Sequence, residues 1–252
     1  MSVLLEVNGL AKSFGGVQAV RDVSFSLGRS EMLAIIGPNG AGKSTCFNMV
    51  GGQIRPDRGT IVLDGQDIAG KAPRDIWRRG VGRTFQISAT FMSMTVCENV
   101  QMALMSHHWR TRALLPLASR LYAEEAAAIL DRIGLADRRS HMCGVLAYGD
   151  LKRVELAVAI AHRPKLLLMD EPTAGMSPSE REALMQLTAD IVRQEEMAVL
   201  FTEHDMDVVF AHSARIVVMN RGAVVTVGTP AEVRENAEVK HIYLGGTLEA
   251  AH

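Results

Sequence analysis

The segment Gly37–Thr45, with the sequence GPNGAGKST, constrains the fold of this chain more than any other feature. It fits the pattern G-x-x-x-x-G-K-[ST] of a phosphate-binding P-loop. The mostly apolar residues 31–36 predict a short buried strand before the loop, and the residues from Ser44 onward predict a helix after it. The alternative is an ordinary glycine-rich turn between a strand and a helix. The loop, the lysine, the hydroxyl and the flanking elements together favour the P-loop.

The residues of this loop have distinct predicted roles toward a nucleotide. Glycines accept backbone angles that let N–H groups curl around phosphate oxygens, and the helix N-terminus adds a positive dipole end. Lys43 would supply a point charge for the β- and γ-phosphates, and Ser44 a hydroxyl for Mg²⁺. The predicted nucleotide-binding residues of the loop are Gly37, Pro38, Asn39, Gly40, Ala41, Gly42, Lys43, Ser44 and Thr45.

A second segment, residues 166–171 with the sequence LLLMDE, supplies the acids that nucleotide hydrolysis needs. An apolar strand that ends in an acid is the Walker-B pattern, which places Asp170 at the end of the strand beside Mg²⁺. Glu171 would then point beyond the γ-phosphate, where a general base is required. A strand followed by an acidic surface turn would explain this segment alone, but its occurrence with the P-loop favours hydrolysis.

The remaining pattern predicts an α/β fold with a helical insertion. Residues 3–27 alternate apolar and polar side chains and predict two or three antiparallel strands, and residues 59–65 predict another strand and turn. Residues from about 87 to 161 are mostly helical in character, most clearly at 98–105 and 120–133. Apolar runs predict central strands at 166–169, 198–201 and 216–219.

Composition excludes several other functions. The net charge is −1, which gives no basic tail for binding nucleic acid. The three cysteines are far apart and form no CxxC pair, so we expect free thiols in a reducing compartment. No apolar run approaches the roughly 20 residues of a membrane helix, so any membrane role would act through a partner.

Four further segments, in order along the chain, make the pattern specific. They are residues 82–86 (GRTFQ), 146–150 (LAYGD), 174–177 (AGMS) and 201–205 (FTEHD). With the P-loop and the Asp-Glu pair they resemble the Q-loop, signature, D-loop and switch-histidine segments of ATP-binding cassette (ABC) ATPases. The resemblance extends from about residue 3 to residue 246. It implies an α/β P-loop NTPase core of ABC type with an antiparallel β subdomain and an inserted α-helical subdomain at about 87–161, in a single domain of residues 1–252.

The resemblance implies that two such ATPases face each other head to tail, each ATP lying between the P-loop of one and the signature of the other. Gly149 opens a helix whose N–H groups could face the γ-phosphate bound to the partner. The signature residues that would contact this nucleotide are Ala147, Tyr148 and Gly149. Phe14 would stack on adenine, although an aromatic that packs within the N-terminal strands is an alternative.

The resemblance also completes the expected catalytic and metal sets. Gln86 would sense Mg²⁺ and the attacking water, and His204 would hydrogen-bond the γ-phosphate and order Glu171. The expected catalytic residues are therefore Lys43, Gln86, Glu171 and His204, and the expected Mg²⁺ ligands are Ser44, Gln86 and Asp170.

Three positions depart from the family pattern. Ala147 lacks the hydroxyl of the usual serine, so one charge-assisted hydrogen bond of about 1.5–3 kcal/mol at most is lost across the dimer. Asp150 replaces the usual glutamine, and we hypothesise that its carboxylate accepts from a ribose hydroxyl. Ser177 stands where Asp or Asn is usual, and Ser177-Pro-Ser-Glu180 instead predicts a helix capping box.

The tyrosine in the signature, the long stretch between Gln86 and Leu146 and the ending VKHIYLGG resemble one importer group, the branched-chain (hydrophobic) amino-acid uptake ATPases. This implies two integral-membrane permeases, an indirect periplasmic solute-binding protein and no nucleic acid. It also implies a cytoplasmic location at the inner face of the cell membrane. Homodimer and heterodimer both stay open. A lipopolysaccharide-export ATPase is the alternative function.

The loop of residues 88–95 follows Gln86, where family members form a groove for a permease helix. Its apolar residues Phe91, Met92 and Met94 suit such a contact. The alternative is that they pack under the helical subdomain.

Overall fold

The structure is a computed structural model that describes residues 2–84, 90–107 and 122–245, with side chains up to Tyr243. The strands of the described residues are β1 Val3–Phe14, β2 Val17–Gly28, β3 Met32–Ile36, β4 Arg58–Leu63, β5 Gln66–Asp67, β6 Val81–Arg83, β7 Leu166–Asp170, β8 Ala198–Thr202, β9 Arg215–Asn220 and β10 Ala223–Gly228. Their α-helices are α1 Lys43–Val50, α2 Pro73–Trp77, α3 Val96–His107, α4 Ala123–Arg132, α5 Tyr148–Ile160, α6 Pro178–Glu195, α7 Met206–His212, α8 Pro230–Glu235 and α9 Ala237–Gly245.

The N-terminal strands form an antiparallel sheet in the order β2-β1-β4-β5. The long strands β1 and β2 pair over most of their length, with Leu5 opposite Leu27 and Val7 opposite Phe25. These four side chains are buried, while the intervening Glu6 is exposed. The alternation of apolar and polar residues therefore reflects a sheet with one buried face, as predicted for residues 3–27.

The central sheet has the order β10-β9-β3-β8-β7-β6. Strands β9, β3, β8, β7 and β6 run parallel, and β10 pairs antiparallel at one edge. Every residue of β3 and β8 is buried, which explains their continuous apolar sequences. The strands predicted at 166–169, 198–201 and 216–219 are confirmed as β7, β8 and β9. Their parallel arrangement brings their C-terminal ends to one edge of the sheet.

Successive residues of the central strands enter two different hydrophobic cores. Leu33 and Ile35 of β3 pack in a core with the antiparallel sheet and α1. Ala34 and Ile36 pack in a second core with side chains from α3, α4, α5 and α6. The two-residue period of a strand thus places the antiparallel sheet and α1 on one face of the central sheet, and α3, α4, α5 and α6 on the other.

The helical region matches the sequence pattern with shifted boundaries. The helix predicted at 98–105 lies within α3, and the one predicted at 120–133 begins later, at Ala123 of α4. Tyr122 precedes α4 with a left-handed φ of 59°, which ends the helical geometry there. Residues 120 and 121 lie outside the described residues. No helix in the described part of the chain is long and apolar enough to cross a membrane.

A partly buried ion pair joins the end of the antiparallel sheet to the central sheet. The guanidinium of Arg215 in β9 donates through Nε to Glu31 Oε1 at 2.7 Å and through Nη2 to Oε2 at 3.1 Å. The same Nη2 also donates to the carbonyl of Ser26 in β2 at 2.7 Å. The hydrogen bond with Glu31 raises the pKa of Arg215. Glu31 itself is buried and depends on this cation for charge compensation.

We expect Arg215→Ala to lower the free energy of unfolding by about 2–3 kcal/mol, because it leaves the Glu31 carboxylate buried without its cation. Arg215 is about one-third exposed, so the loss should lie below that of a fully buried pair. Urea denaturation monitored by circular dichroism measures it. The control is Arg193→Ala, which removes an exposed pair with Asp190 and should change stability little. Equal stabilities of the two variants would contradict the prediction.

Candidate active site

The P-loop connects the end of β3 to the start of α1 and has room only for glycine at two positions. A Cβ at Gly37 would lie 2.1 Å from the carbonyl oxygen of Met219, and one at Gly42 would lie 2.4 Å from that of Ala19. Gly42 also has a left-handed φ of 96° and forms the N-cap of α1. The backbone of the loop is therefore held between β9 and β2, with the N–H groups of the first helical turn at the cleft.

Lys43 lies at the base of this loop. Its Nζ donates to the carbonyl oxygens of Gly37 at 2.7 Å and Pro38 at 3.2 Å. Burial lowers the pKa of Lys43, while the carboxylates of Glu171 and Asp170 act in the opposite direction. The structure thus brings the predicted lysine and both predicted acids close enough to interact electrostatically.

Asp170 is the last residue of β7 and is oriented by its neighbours. Thr202 Oγ1, from the adjacent β8, donates to Asp170 Oδ1 at 2.6 Å. On the other side, Arg83 Nη2 of β6 lies 3.8 Å from Asp170 Oδ2 and donates to Asn48 Oδ1 at 2.8 Å. Contacts from two flanking strands therefore fix the carboxylate at the edge of the sheet.

Glu171 follows directly and has a left-handed φ of 48°. Its backbone N–H lies 3.1 Å from the carbonyl oxygen and 3.2 Å from Oγ1 of Thr202. Its Oε1 lies 2.9 Å from Nε2 of His204, whose side chain is half-exposed. Glu171 and His204 line the same cleft as Asn39, Gly40, Ala41, Gly42, Lys43, Ser44 and Thr45.

Two residues that the sequence reasoning missed hold this arrangement. Thr202 contacts both acids, as described above. Glu203 is buried, and its Oε1 accepts from the N–H of Thr173 at 2.8 Å and from its hydroxyl at 2.6 Å. Its Oε2 accepts from the N–H of His204 at 3.1 Å. Glu203 therefore joins the segment after Glu171 to the segment that carries His204. The sequence signal that could have found Thr202 and Glu203 was their place directly after the strand predicted at 198–201.

The other predicted site residues either lie apart from this cleft or fall outside the residues that the structure describes. Gln86 lies outside the described residues. Phe14 is at the end of β1, with its side chain 47% exposed and Lys12 Nζ 5.5 Å from the ring centroid. This exposure argues against the alternative that Phe14 packs in a core, and its stacking on adenine stays a prediction.

The signature residues begin α5. Ala147 is the N-cap with an extended backbone and makes no side-chain capping hydrogen bond, and Tyr148 and Gly149 form the first turn. None of these three residues is among the described residues that line the P-loop cleft. The prediction for Ser177 is confirmed: it caps α6 in a capping box with Glu180.

The chemistry of the cleft fits a nucleoside triphosphate with Mg²⁺. The glycines leave the N-terminal N–H groups of α1 open to phosphate oxygens, and Lys43 supplies a cation. The hydroxyl of Ser44 and the carboxylate of Asp170 are hard oxygen donors of the kind Mg²⁺ prefers. Among the described residues, no group of three or more His, Cys, Asp or Glu side chains could hold a metal on its own. Substrate phosphates would have to complete such a site.

Comparisons with known proteins agree with this geometry. The sequence profile of the family described as "ABC transporter" matches residues 20–174. The chain is 40% identical over 252 residues to the high-affinity branched-chain amino acid transport ATP-binding protein LivG of Escherichia coli (strain K12), with 96% of this chain and 98% of LivG covered. It is 34% identical over 245 residues to the lipopolysaccharide export system ATP-binding protein LptB of Haemophilus influenzae, with 97% and 98% covered.

A solved structure supports the same relationship. The fold is similar to the ADP conformation of MJ1267, an ATP-binding cassette of an ABC transporter, with a TM-score of 0.85 and 29% identity. The alignment covers 97% of this chain and 100% of that structure.

We expect Thr202→Val to reduce ATP hydrolysis about tenfold, because one charge-assisted hydrogen bond to Asp170 is lost. The free energy of unfolding should fall by about 1–2 kcal/mol. Thr188→Val is the matched control, since the Thr188 hydroxyl is buried but donates only within its own helix, to the Leu184 carbonyl at 2.8 Å. A Thr202→Val protein as active as the Thr188→Val control would show that Thr202 does not orient the acids.

Proposed function

The chain belongs to the ABC transporter family, and from that premise we propose that it powers an importer of branched-chain amino acids or a related small solute. The observation that carries the ATPase part is the convergence of the P-loop, Glu171 and His204 on one cleft, with Asp170 close enough to act electrostatically on Lys43. The full-length similarity to LivG, at 40% identity, supports the importer part.

In the proposed mechanism, Glu171 acts as the general base. Its carboxylate would accept the proton of the water that attacks the γ-phosphate. The 2.9 Å contact between Glu171 Oε1 and His204 Nε2 supports a role of His204 in directing this carboxylate. Lys43 and the N–H groups at the start of α1 would bind the β- and γ-phosphates and offset the charge that develops there.

Magnesium would be held by the chain's own oxygen donors. We propose Ser44 and Asp170 as ligands, with Gln86 as the third residue of the set. Bound Mg²⁺ supplies positive charge to the phosphates. The hydrogen bond from Thr202 and the proximity of Arg83 would hold the Asp170 carboxylate in place for this role.

We also propose the assembly that the family pattern implies. Two ATPase subunits, identical or related, would face each other so that Ala147, Tyr148 and Gly149 complete the nucleotide site of the partner, and Phe14 stacks on adenine. The chain would be a single ATPase domain of residues 1–252 with a helical subdomain at about 87–161. It would bind two membrane permeases at the inner face of the membrane, with a periplasmic binding protein acting indirectly.

Lipopolysaccharide export is the second candidate, because the chain also matches LptB along its length at 34% identity. The higher identity to LivG over a similar coverage favours import. An affinity isolation of the full chain from gently solubilised membranes decides between them. Two multi-span permeases and a second short ABC ATPase would support import, whereas a permease pair with a periplasmic bridge would support export.

We expect Glu171→Gln to abolish steady-state ATP hydrolysis while ATP binding is retained, because the amide cannot accept the proton of the attacking water. Turnover and nucleotide affinity, measured on the same preparation, separate the two effects. The control is Glu182→Gln, which alters a second glutamate–histidine contact, the 2.9 Å pair of Glu182 Oε2 and His212 Nε2 outside the cleft. Retained hydrolysis in Glu171→Gln would exclude Glu171 as the base.

We expect Met92→Glu to uncouple ATP hydrolysis from transport, with nucleotide binding intact. Phe91 and Met92 are 55% and 44% exposed, which argues against their packing under the helices and supports a docking surface. The backbone carbonyl of Met92 accepts from the N–H of Gly144 at 3.0 Å, and this hydrogen bond does not involve the side chain that Met92→Glu replaces. Met102→Glu, on an exposed position of α3, is the control. Unchanged transport in Met92→Glu would count against this loop as the docking surface.

A further inference from the structure

The signature segment lies against the D-loop of its own chain. The Tyr148 hydroxyl donates to the carbonyl oxygen of Ala174 at 3.1 Å. The ring edge of Tyr148 covers the next residue, since a Cβ at Gly175 would lie 3.5 Å from Tyr148 Cε1. Gly175 has a left-handed φ of 79°, which turns the D-loop around this ring. The first residue of α5, whose side chain is about half-exposed, thus contacts a loop that is 26 residues away in sequence.

The next residue, Gly149, contacts the first turn of α6. A Cβ at Gly149 would lie only 2.7 Å from Glu180 Oε1 and 3.2 Å from its Cδ. Glu180 cannot move away without cost, because its Oε2 accepts from the N–H of Ser177 at 3.0 Å and from its hydroxyl at 2.6 Å. Gly149 does not have a left-handed φ, so its backbone would accept another residue, and a side chain there would have to displace the exposed Glu180 carboxylate.

The same carboxylate therefore serves two helices. It completes the capping box of α6, and its second oxygen lies at the N-terminal turn of α5, where a negative charge is electrostatically favourable. Hydrogen bonds from the Ser177 hydroxyl and N–H lower the pKa of Glu180, which keeps it charged. Neither Glu180 nor Tyr148 is among the described residues that line the P-loop cleft of this chain.

We propose that the Tyr148 hydroxyl and the Glu180 carboxylate are positioning groups that hold the signature segment and the D-loop of one chain as a single unit, a role separate from the contact of the signature segment with the partner's nucleotide. Both segments would then reach the partner ATPase in a fixed relative position, so the nucleotide bound to the partner is enclosed by a preformed surface. This inference rests on the proposed function, since it requires the assembly of two ATPase subunits.

The chain offers a matched control for Glu180. Glu232 occupies the same place in a second capping box, where its Oε2 accepts from the N–H of Thr229 at 2.7 Å and from its hydroxyl at 3.0 Å. Both boxes also have a proline at the first helical positions. Glu180→Ala and Glu232→Ala therefore remove equivalent caps, and only the first removes a contact with the signature segment.

The test measures ATP hydrolysis by the assembled transporter across ATP concentrations, thermal midpoints, and nucleotide affinity of the isolated full chain. We expect Glu180→Ala to lower kcat about two- to tenfold, the scale of one lost contact, with Glu180→Gln, which keeps the side chain but loses its charge, less affected and Glu232→Ala close to wild type. The thermal midpoints of the two alanine variants should fall by similar amounts, and nucleotide affinity should not change. Tyr148→Phe should lower kcat in the same way, and Tyr243→Phe in α9 should not.

Each outcome has a defined meaning. If the wild-type assembly hydrolyses ATP and the kcat of Glu180→Ala equals that of Glu232→Ala, the positioning role is wrong while the proposed function stands. The same holds if Tyr148→Phe matches wild type. If the kcat loss is accompanied by an equal loss of nucleotide affinity in the isolated chain, the residues are merely structural. A wild-type assembly without ATP hydrolysis overturns the proposed function and the positioning role together.

Discussion

The arrangement of the site depends on the register of three parallel strands. Thr202, the last residue of β8, lies opposite Ile35 of β3 on one side and opposite Asp170 of β7 on the other. Because parallel strands end at the same edge, the loop after β3, the acids after β7 and the histidine after β8 leave the sheet at one level. A shift of one residue in the pairing of β7 with β8 would turn Thr202 away from both acids. The positions of the catalytic side chains in the cleft therefore depend on the register of these strands.

The two cores on either side of the central sheet preserve that register. Each central strand contributes alternate residues to both cores, so it cannot slide without moving apolar side chains from one core into the other. The ion pair between Glu31 and Arg215 adds a polar connection between the antiparallel sheet and β9. Carbonyl oxygens of β9 and β2 then limit the P-loop to glycine at Gly37 and Gly42. Packing and loop chemistry thus support one geometry.

Local sequence patterns predicted the elements that carry the chemistry but few of the contacts between them. The P-loop, the strand before Asp170 and the capping box at Ser177 each lie within a few consecutive residues, so their spacing is visible in the sequence. Strand β6, Val81–Arg83, has only three residues, one of which is a glycine. It is too short to show the apolar pattern that predicts a strand. The contact of Tyr148 with Ala174 joins residues far apart in sequence. A single sequence, read without an alignment, gives no signal for such a pair. The role of Thr202 likewise follows from its neighbours in the sheet.

The backbone conformation of Glu171 shows that placing its carboxylate at the end of β7 costs conformational energy. A left-handed φ costs a non-glycine residue about 1–2 kcal/mol, and Glu171 adopts 48° at the point where the chain leaves β7. Contacts of its N–H group with Thr202 help to offset that strain. Glycine would relieve the strain but would remove the carboxylate. Selection for a more stable fold and selection for turnover therefore act in opposite directions at this residue.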